Sequence, residues 1–496
     1  MNRHGDGVAR GVAVAALLLL VTACTVLRDP QQRNLQSTDA GVRDCAQWFG
    51  DADARIDAAG VRDVEDGRVA GFPYLRSNRF LASFRDGVAA DSSVLRAWMS
   101  HMRDADLRAR DAELRTLFPA TAPETLAVAR RCGELLLRHD LADPATAAAL
   151  RERVPVPDAY LDWQRIVGLY ALTRIPFASG VAQWQEEMQA MFAQARSGAP
   201  SLHPVERYGP LDDARYAHAE VAALLARAEG QPLGIPPWSA TEQAKLLATH
   251  APVFEVATSG VFDRPGALVW RGAGSPDVDV NQPVVYQRIA FTRYGGRTLV
   301  QLVYTMWFGE RPADRAFDML AGKLDGLVWR VTLAPDGEPI LFDTMHPCGC
   351  FHMFLPTSSA VALPAPDPAD EWVFVPAAMP RVSDGERVLL RLTARSHYLI
   401  GAGVLPAGSS APRSYGLVDE QVLRSLPLPG GGFRSVYGAD ALVPGTERPE
   451  RMLFWPMGIP SAGAMRQWGS HATAFVGRRH FDDADLIERR FRLKFD

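Results

Sequence analysis

The stretch VVYQRIAFTRYGGRTLVQLVYTMWF, residues 284–308, predicts a β-hairpin. β-Branched and aromatic residues fill both halves, and Gly295-Gly296 between them is typical of a tight turn. Two further pairs of short β-rich runs follow, at residues 327–333 with 339–343 and at residues 387–394 with 397–404. Consecutive hairpins of this kind predict an antiparallel sheet, either a sandwich or a strongly bent sheet.

The residues before this region have the pattern of helices. In the segment 94–117, Leu95, Trp98 and Met102 recur at helical spacing among Arg and Asp residues. Further helices are predicted at residues 121–137, 143–153, 160–172, 180–194 and 211–228. The Pro/Gly-rich segment 231–237 then precedes the change to short β-rich runs.

The predicted fold class is therefore α+β. We expect an all-helical N-terminal domain at residues 44–250, followed by a β-rich, mainly antiparallel C-terminal domain at residues 251–496. Two helices are predicted within the second domain, at residues 313–320 and 485–491.

Composition bounds the class of protein. The chain has 496 residues, of which 47% are hydrophobic and 22% charged, which is typical of folded globular domains. Its net charge is -4, and no run of Lys or Arg occurs. Because nucleic-acid binding depends on a concentrated basic surface, we predict no nucleic-acid partner.

The first 24 residues carry the clearest targeting signal. Arg3 and Arg10 precede an apolar segment, residues 11–21, that is too short to span a bilayer about 30 Å thick. This arrangement is typical of an export signal. The ending Leu-Val-Thr-Ala-Cys, residues 20–24, resembles the lipobox of bacterial lipoproteins. The resemblance implies cleavage before Cys24 and lipidation of that cysteine.

These features predict how the chain is processed and where it lies. Residues 1–23 are the signal peptide, and residues 24–43 form a lipidated tether. The lipid makes the membrane a partner through the N-terminal anchor. Thr25, rather than Asp, follows the cysteine, which in the enterobacterial sorting pattern favours the outer membrane over the inner. The predicted location is the cell envelope, facing the periplasm.

Four cysteines remain after Cys24. The periplasm is oxidising, so an even number of cysteines favours disulfides. Neighbourhood in the sequence pairs Cys45 with Cys132 and leaves Cys348 with Cys350 as a local pair. The alternative for Cys45 and Cys132 is that both are buried thiols.

The candidate functional residues are His346, Cys348, Cys350 and His352, at positions i, i+2, i+4 and i+6. Thiolate and imidazole together are the ligands that zinc and copper prefer, so the stretch predicts a zinc or copper site. In a straight strand the two histidines would lie about 20 Å apart, too far for one ion. The loop must therefore bend at Pro347 and Gly349, or ligands must come from His397, His471 or His480.

Two alternatives to metal binding stay open. Cys348 and Cys350 form a strained, labile Cys-Gly-Cys disulfide in the redox interpretation. In the structural interpretation the cysteines are buried and the histidines are hydrogen-bonded. The leading hypothesis is an envelope lipoprotein with a metal site, whose catalytic activity, if it has one, is metal-assisted hydrolysis or redox chemistry. The competing hypotheses are a non-catalytic structural or assembly lipoprotein and a thiol/disulfide protein. No catalytic residue is predicted.

Overall fold

A computed structural model describes residues 29–89, 93–198, 200–212, 214–272, 274–367, 370–409 and 411–495. The predicted signal peptide and the predicted lipidation site, Cys24, lie outside the described residues. Among the helices of the described residues, none is long and apolar enough to cross a membrane.

Ten described helices precede residue 251. They are α1 Pro30–Leu35, α2 Ala40–Ala59, α3 Arg79–Ala82, α4 Ser93–Leu117, α5 Ala122–Leu141, α6 Thr146–Arg153, α7 Asp162–Val167, α8 Tyr170–Arg196, α9 His218–Ala226 and α10 Ala240–His250. Two short helices follow near the C-terminus, α11 Arg451–Phe454 and α12 Leu486–Arg490.

The strands concentrate after residue 251. The first nine are β1 Gly67–Val69, β2 Phe72–Ser77, β3 Val205–Pro210, β4 Val253–Ala257, β5 Ala267–Val269, β6 Asp277–Asp279, β7 Val284–Tyr294, β8 Arg297–Arg311 and β9 Gly322–Leu333. The others are β10 Pro339–Met345, β11 Met353–Pro356, β12 Ala360–Ala362, β13 Arg387–Leu392, β14 Leu399–Leu405, β15 Arg413–Asp419, β16 Leu426–Pro427, β17 Phe433–Arg434 and β18 Phe491–Leu493.

Ten of these strands form one curled sheet, in the order β11-β10-β9-β8-β7-β15-β3-β4-β13-β14. The pairings of β15 with β3 and β7, and of β4 with β13, are parallel, and the others are antiparallel. The sheet curls enough for the turn between β13 and β14, at one end of this order, to contact β9 near the other end.

The fold class is confirmed, since helices lie mainly in the N-terminal half and a mostly antiparallel sheet in the C-terminal half. The predicted hairpin of 284–308 is β7–β8, with Gly295 and Gly296 in the left-handed conformation at its turn. The N-terminal half is not all-helical, because β1 and β2 pair there and β3 joins the large sheet.

Two predicted segments differ from the structure. Part of the predicted tether folds as α1 and the start of α2, because Asp29 and Asp39 accept hydrogen bonds from the first free backbone amides of these helices. Residues 313–320, all of which the structure describes, form turns and bends instead of the predicted helix. There the Asp318 carboxylate accepts from the backbone of Asp314 and Leu320, and such local bonds compete with helical ones.

Among the described residues, the two largest of several apolar cores organise the fold. One lies among α2, α4, α5 and β2, where a Cys45–Cys132 disulfide joins α2 to α5 with a Cα–Cα distance of 5.0 Å. This confirms the predicted pairing. The larger core fills the curled sheet, and residues Met188 and Phe192 of α8 pack into it. Cys348 and Cys350 are free, buried thiols.

Candidate functional site

The Cys/His stretch forms the loop between β10 and β11. His346 donates its backbone N–H to the Cys350 carbonyl at 2.9 Å, and Gly349 donates to the His346 carbonyl at 2.8 Å. Gly349 has φ +90°, and a Cβ there would lie 2.5 Å from the Ala472 carbonyl oxygen, so glycine is required. The chain therefore bends sharply, as one form of the metal prediction demands.

The bend does not bring the two histidines together. Asp343 pairs with Phe354 across β10 and β11. Continuing that register places His352 on the same face as Asp343 and His346 on the opposite face. His352 Nε2 lies 2.9 Å from an Asp343 oxygen, whereas the His346 ring packs 5.0 Å from that of Phe351.

A buried carboxylate, Asp325 of β9, holds the loop in place. Its two oxygens lie 3.0 Å from His346 Nδ1 and 2.9 Å from His397 Nδ1. His397 Nε2 is 3.1 Å from Asp263, and an Arg448 nitrogen is 3.7 Å from Asp325. Asp325 and His397 are completely shielded from solvent. This group, which we call the Asp325 network, joins segments that are far apart in the sequence.

Charge balance explains how these groups stay buried. Burial opposes ionisation of Asp325, but His346, His397 and Arg448 hold its pKa well below its usual range. Burial also disfavours the charged form of His397, yet the nearby carboxylates of Asp263 and Asp325 outweigh it and raise the pKa of this histidine. The pKa of His346 is lowered by burial. The network therefore favours an ionised Asp325 next to a His397 that protonates more readily than His346.

The thiols lie beside this network. The Cys350 backbone N–H donates to Cys348 Sγ at 3.4 Å, and both cysteines pack with Trp307 and Met465. Burial opposes ionisation of Cys348, but the neighbouring Cys350 and the charge of Arg448 lower its pKa. The hydrogen bond to Cys348, together with burial, raises the pKa of Cys350.

The additional histidines suggested by the sequence have other partners. His471 Nε2 is 3.1 Å from the Pro347 carbonyl oxygen, so this residue does adjoin the loop. His480 lies 3.1 Å from both Asp158 and Asp483, apart from the Asp325 network. Within the described ranges, no group of three or more His, Cys, Asp or Glu side chains is placed to hold a metal ion.

A cavity of about 520 Å³ opens between α8 and this loop. Its walls are largely apolar, and its polar members are Glu187, Glu371, Tyr398, Glu450 and Thr473. From α8 the other wall residues include Pro176, Phe177, Gly180, Val181 and Trp184; from the loop, Gly349, Cys350 and Phe351; and from the C-terminal region, Leu453, Phe454, Ile459 and Phe475. Trp184 fixes α8 against the loop, because its ring lies 5.5 Å from that of Phe351. The cavity is called the α8 pocket below.

Two hydrogen-bonding side chains of the α8 pocket come from segments that the Asp325 network holds. Burial raises the pKa of Glu450 from 4.5 to about 7, so this carboxyl is largely protonated below neutral pH. Tyr398 accepts a hydrogen bond from Arg311 at 3.2 Å through its hydroxyl oxygen, which leaves its own O–H able to donate. Both residues line the pocket.

Sequence reasoning identified the loop but missed Asp325, Tyr398 and Glu450. A charged residue at position 325, just before the apolar run 327–333, was the one available signal for a buried functional carboxylate. Tyr398 and Glu450 carry no local signal, because only the fold places them beside α8.

No protein-family model, curated protein or solved structure matches this chain.

Asp325→Asn tests whether the network stabilises this region. Removing the charge leaves the partners of a buried ion pair uncompensated, so we expect a loss of about 3–5 kcal/mol in the free energy of unfolding. Chemical denaturation measures it. Asp314→Asn is the control, because the Asp314 carboxylate is 61% exposed and pairs with Arg395 at the surface. For this variant we expect a loss of about 0–1 kcal/mol in the free energy of unfolding. Equal losses in the two variants contradict the assigned role of Asp325.

Glu450 predicts a specific pH dependence. Its pKa is about 7 in the folded chain and near the ordinary 4.5 in the unfolded chain. The folded state therefore binds this proton more tightly, and the resulting stability is complete below pH 4.5 and lost as pH rises through 7. As pH rises from 4.5 to 8, we expect the free energy of unfolding of the wild type to fall by about 3 kcal/mol more than that of Glu450→Gln. Denaturant unfolding at each pH measures both. Parallel pH profiles contradict the prediction.

Proposed function

We propose that this protein is a lipid-anchored protein of the cell envelope that binds an elongated apolar molecule with one uncharged polar end. The α8 pocket is the single observation that carries this proposal. Its volume of about 520 Å³ falls in the range of small-molecule sites, roughly 300–1,000 Å³. Apolar walls with a few polar groups are also typical of such sites.

The pocket walls favour an apolar chain. Phe177 of α8 contacts Phe454 with ring centroids 5.2 Å apart, and Phe454 stacks on Phe475 at 4.3 Å. These rings and Trp184 offer an apolar surface that gains free energy when a ligand displaces water from it.

The polar groups favour an uncharged end on the ligand. Protonated Glu450 and the Tyr398 hydroxyl both present O–H donors, which match the carbonyl oxygen of an ester or the oxygen of an alcohol. A carboxylate on the ligand would lose its hydration in these apolar surroundings and would be repelled by Glu450 once that group ionises. An acyl ester is thus the ligand class that best fits the pocket.

The predicted lipid anchor agrees with this ligand class. Acylation at Cys24 would keep the pocket at a membrane, where acyl esters are concentrated. Lipidation, the membrane as partner and the outer-membrane location remain predictions from the first 25 residues.

Blocking the pocket tests the proposal. Val181→Trp places a large ring into the pocket from α8, and we expect it to weaken binding of a dansyl-labelled fatty-acid methyl ester at least tenfold. Ala182→Trp is the matched control, because Ala182 is exposed and does not line the pocket. Fluorescence titration measures both affinities. No saturable binding by the wild type, or equal affinities of the two variants, contradicts the proposed function.

Metal binding by His346, Cys348, Cys350 and His352 also stays a prediction. The fold brings the two thiols together and separates the two histidines, so any zinc or copper would depend on Cys348 and Cys350. Elemental analysis tests this, with one ion per chain expected in the wild type and none in Cys348→Ser/Cys350→Ser. Metal-free protein contradicts metal binding.

Counting the thiols that can be alkylated in the denatured, unreduced protein then separates the two other interpretations. Two alkylated thiols per chain support reduced Cys348 and Cys350, whereas zero alkylated thiols support the Cys348–Cys350 disulfide.

A further inference from the structure

We infer that α7, the start of α8 and α11 together form a surface that docks on a phospholipid bilayer. This apolar surface comprises Trp163, Ile166, Val167, Leu169, Leu172, Ile175, Met452 and Leu453. The inference rests on the proposed function, because it supplies a route by which an acyl ester reaches the α8 pocket.

The first observation is the exposure of large apolar side chains. Ile166 is 75% exposed, Leu172 66% and Met452 79%, and each of the other members exposes more than half of its surface. Large apolar residues grouped in this way mark contact surfaces, whereas single exposed ones are ordinary.

Packing shows that the members belong to one surface. Trp163 of α7 lies 5.8 Å from Trp455, which directly follows α11, and Phe177 of α8 lies 5.2 Å from Phe454 of α11. The three short segments are therefore neighbours.

The positive charge beside the apolar surface favours a bilayer as its partner over a protein whose surface is rich in basic groups. The charged residues of the segment 162–185 are Asp162, Arg165 and Arg174, of which Asp162 pairs with Arg478 and Arg174 lies 3.5 Å from Asp370. Arg165 donates to the backbone carbonyls of Met457 and Gly477, so those contacts leave its positive charge uncompensated. A positive charge beside exposed apolar groups and a tryptophan suits the anionic headgroup region of a bilayer.

The apolar surface continues into the α8 pocket. Leu453 is 52% exposed and also lines the pocket. On α8, exposed Leu172 and Ile175 precede Phe177 and Val181, which line the pocket. An acyl chain leaving the bilayer at this surface would therefore move along apolar side chains rather than through water.

The start of the described chain is compatible with this orientation. Asp29 lies 3.7 Å from Arg153, which is ten residues before Trp163 in the sequence. The predicted lipidation site, Cys24, is five residues before Asp29, a span of at most about 18 Å. A membrane anchor at Cys24 thus holds Asp29 and the start of α1 close to the bilayer.

Vesicle binding without the lipid anchor tests the inference. Residues 24–496 carrying Cys24→Ser, which lack both the predicted signal peptide and the lipid, are mixed with vesicles of phosphatidylethanolamine and phosphatidylglycerol, and binding is measured by co-sedimentation. We expect Ile166→Asp/Leu172→Asp to weaken vesicle binding at least tenfold. Leu202→Asp/Phe317→Asp is the control, since these residues are 96% and 81% exposed outside the apolar surface; it should bind like the parent.

Three outcomes overturn the inference. The first is no vesicle binding by the parent chain, and the second is equal loss in both double variants. The third is that the parent chain sediments as a dimer and that Ile166→Asp/Leu172→Asp dissociates this dimer without changing vesicle binding. That result would assign the surface to contact with a second copy of the chain. Titration of the labelled ester in detergent-free buffer keeps the proposed function separate, because the surface variant should still bind it.

Discussion

The buried Asp325 carboxylate is the interaction on which the candidate site depends. It lies on β9 and bonds His346 in the β10–β11 loop and His397 in the β13–β14 turn, with Arg448 nearby. These segments meet only because the sheet curls. A buried ionised carboxylate is tolerable when such partners compensate its lost hydration, and separating them would leave uncompensated charge inside the protein. The network therefore fixes the loop geometry that an apolar core alone would leave adjustable.

That constraint determines the shape and chemistry of the α8 pocket. The loop carries Cys350 and Phe351 into the wall, the β13–β14 turn carries Tyr398, and the segment after Arg448 carries Glu450. The same burial that forms the wall raises the pKa of Glu450 to about 7, so an apolar cavity acquires a neutral hydrogen-bond donor. The pocket and the apolar surface outside it are consistent with one function, the handling of acyl chains at a membrane.

The sequence predicted what depends on local pattern. The 284–308 hairpin was predicted because alternating β-formers flank Gly295-Gly296, and the Cys45–Cys132 pairing followed from neighbourhood. Long-range features were not predictable in this way. Asp325 and His397 are 72 residues apart, and the opposite faces of His346 and His352 follow from a strand register that spacing alone does not define. The prediction of a helix at residues 313–320 was wrong because the Asp318 carboxylate accepts hydrogen bonds from nearby backbone amides. The spacing of apolar residues in the sequence does not reveal such a contact.

Under the proposed function, the Asp325 network shapes a pocket for an apolar molecule. The most direct measurement is mass spectrometry of molecules extracted from the lipidated protein purified out of its own membranes, beside Val181→Trp purified identically. We expect an acyl ester at close to one per chain in the wild type and its loss from the variant. Equal amounts of the same lipids in both preparations, or an empty wild-type protein, would contradict it.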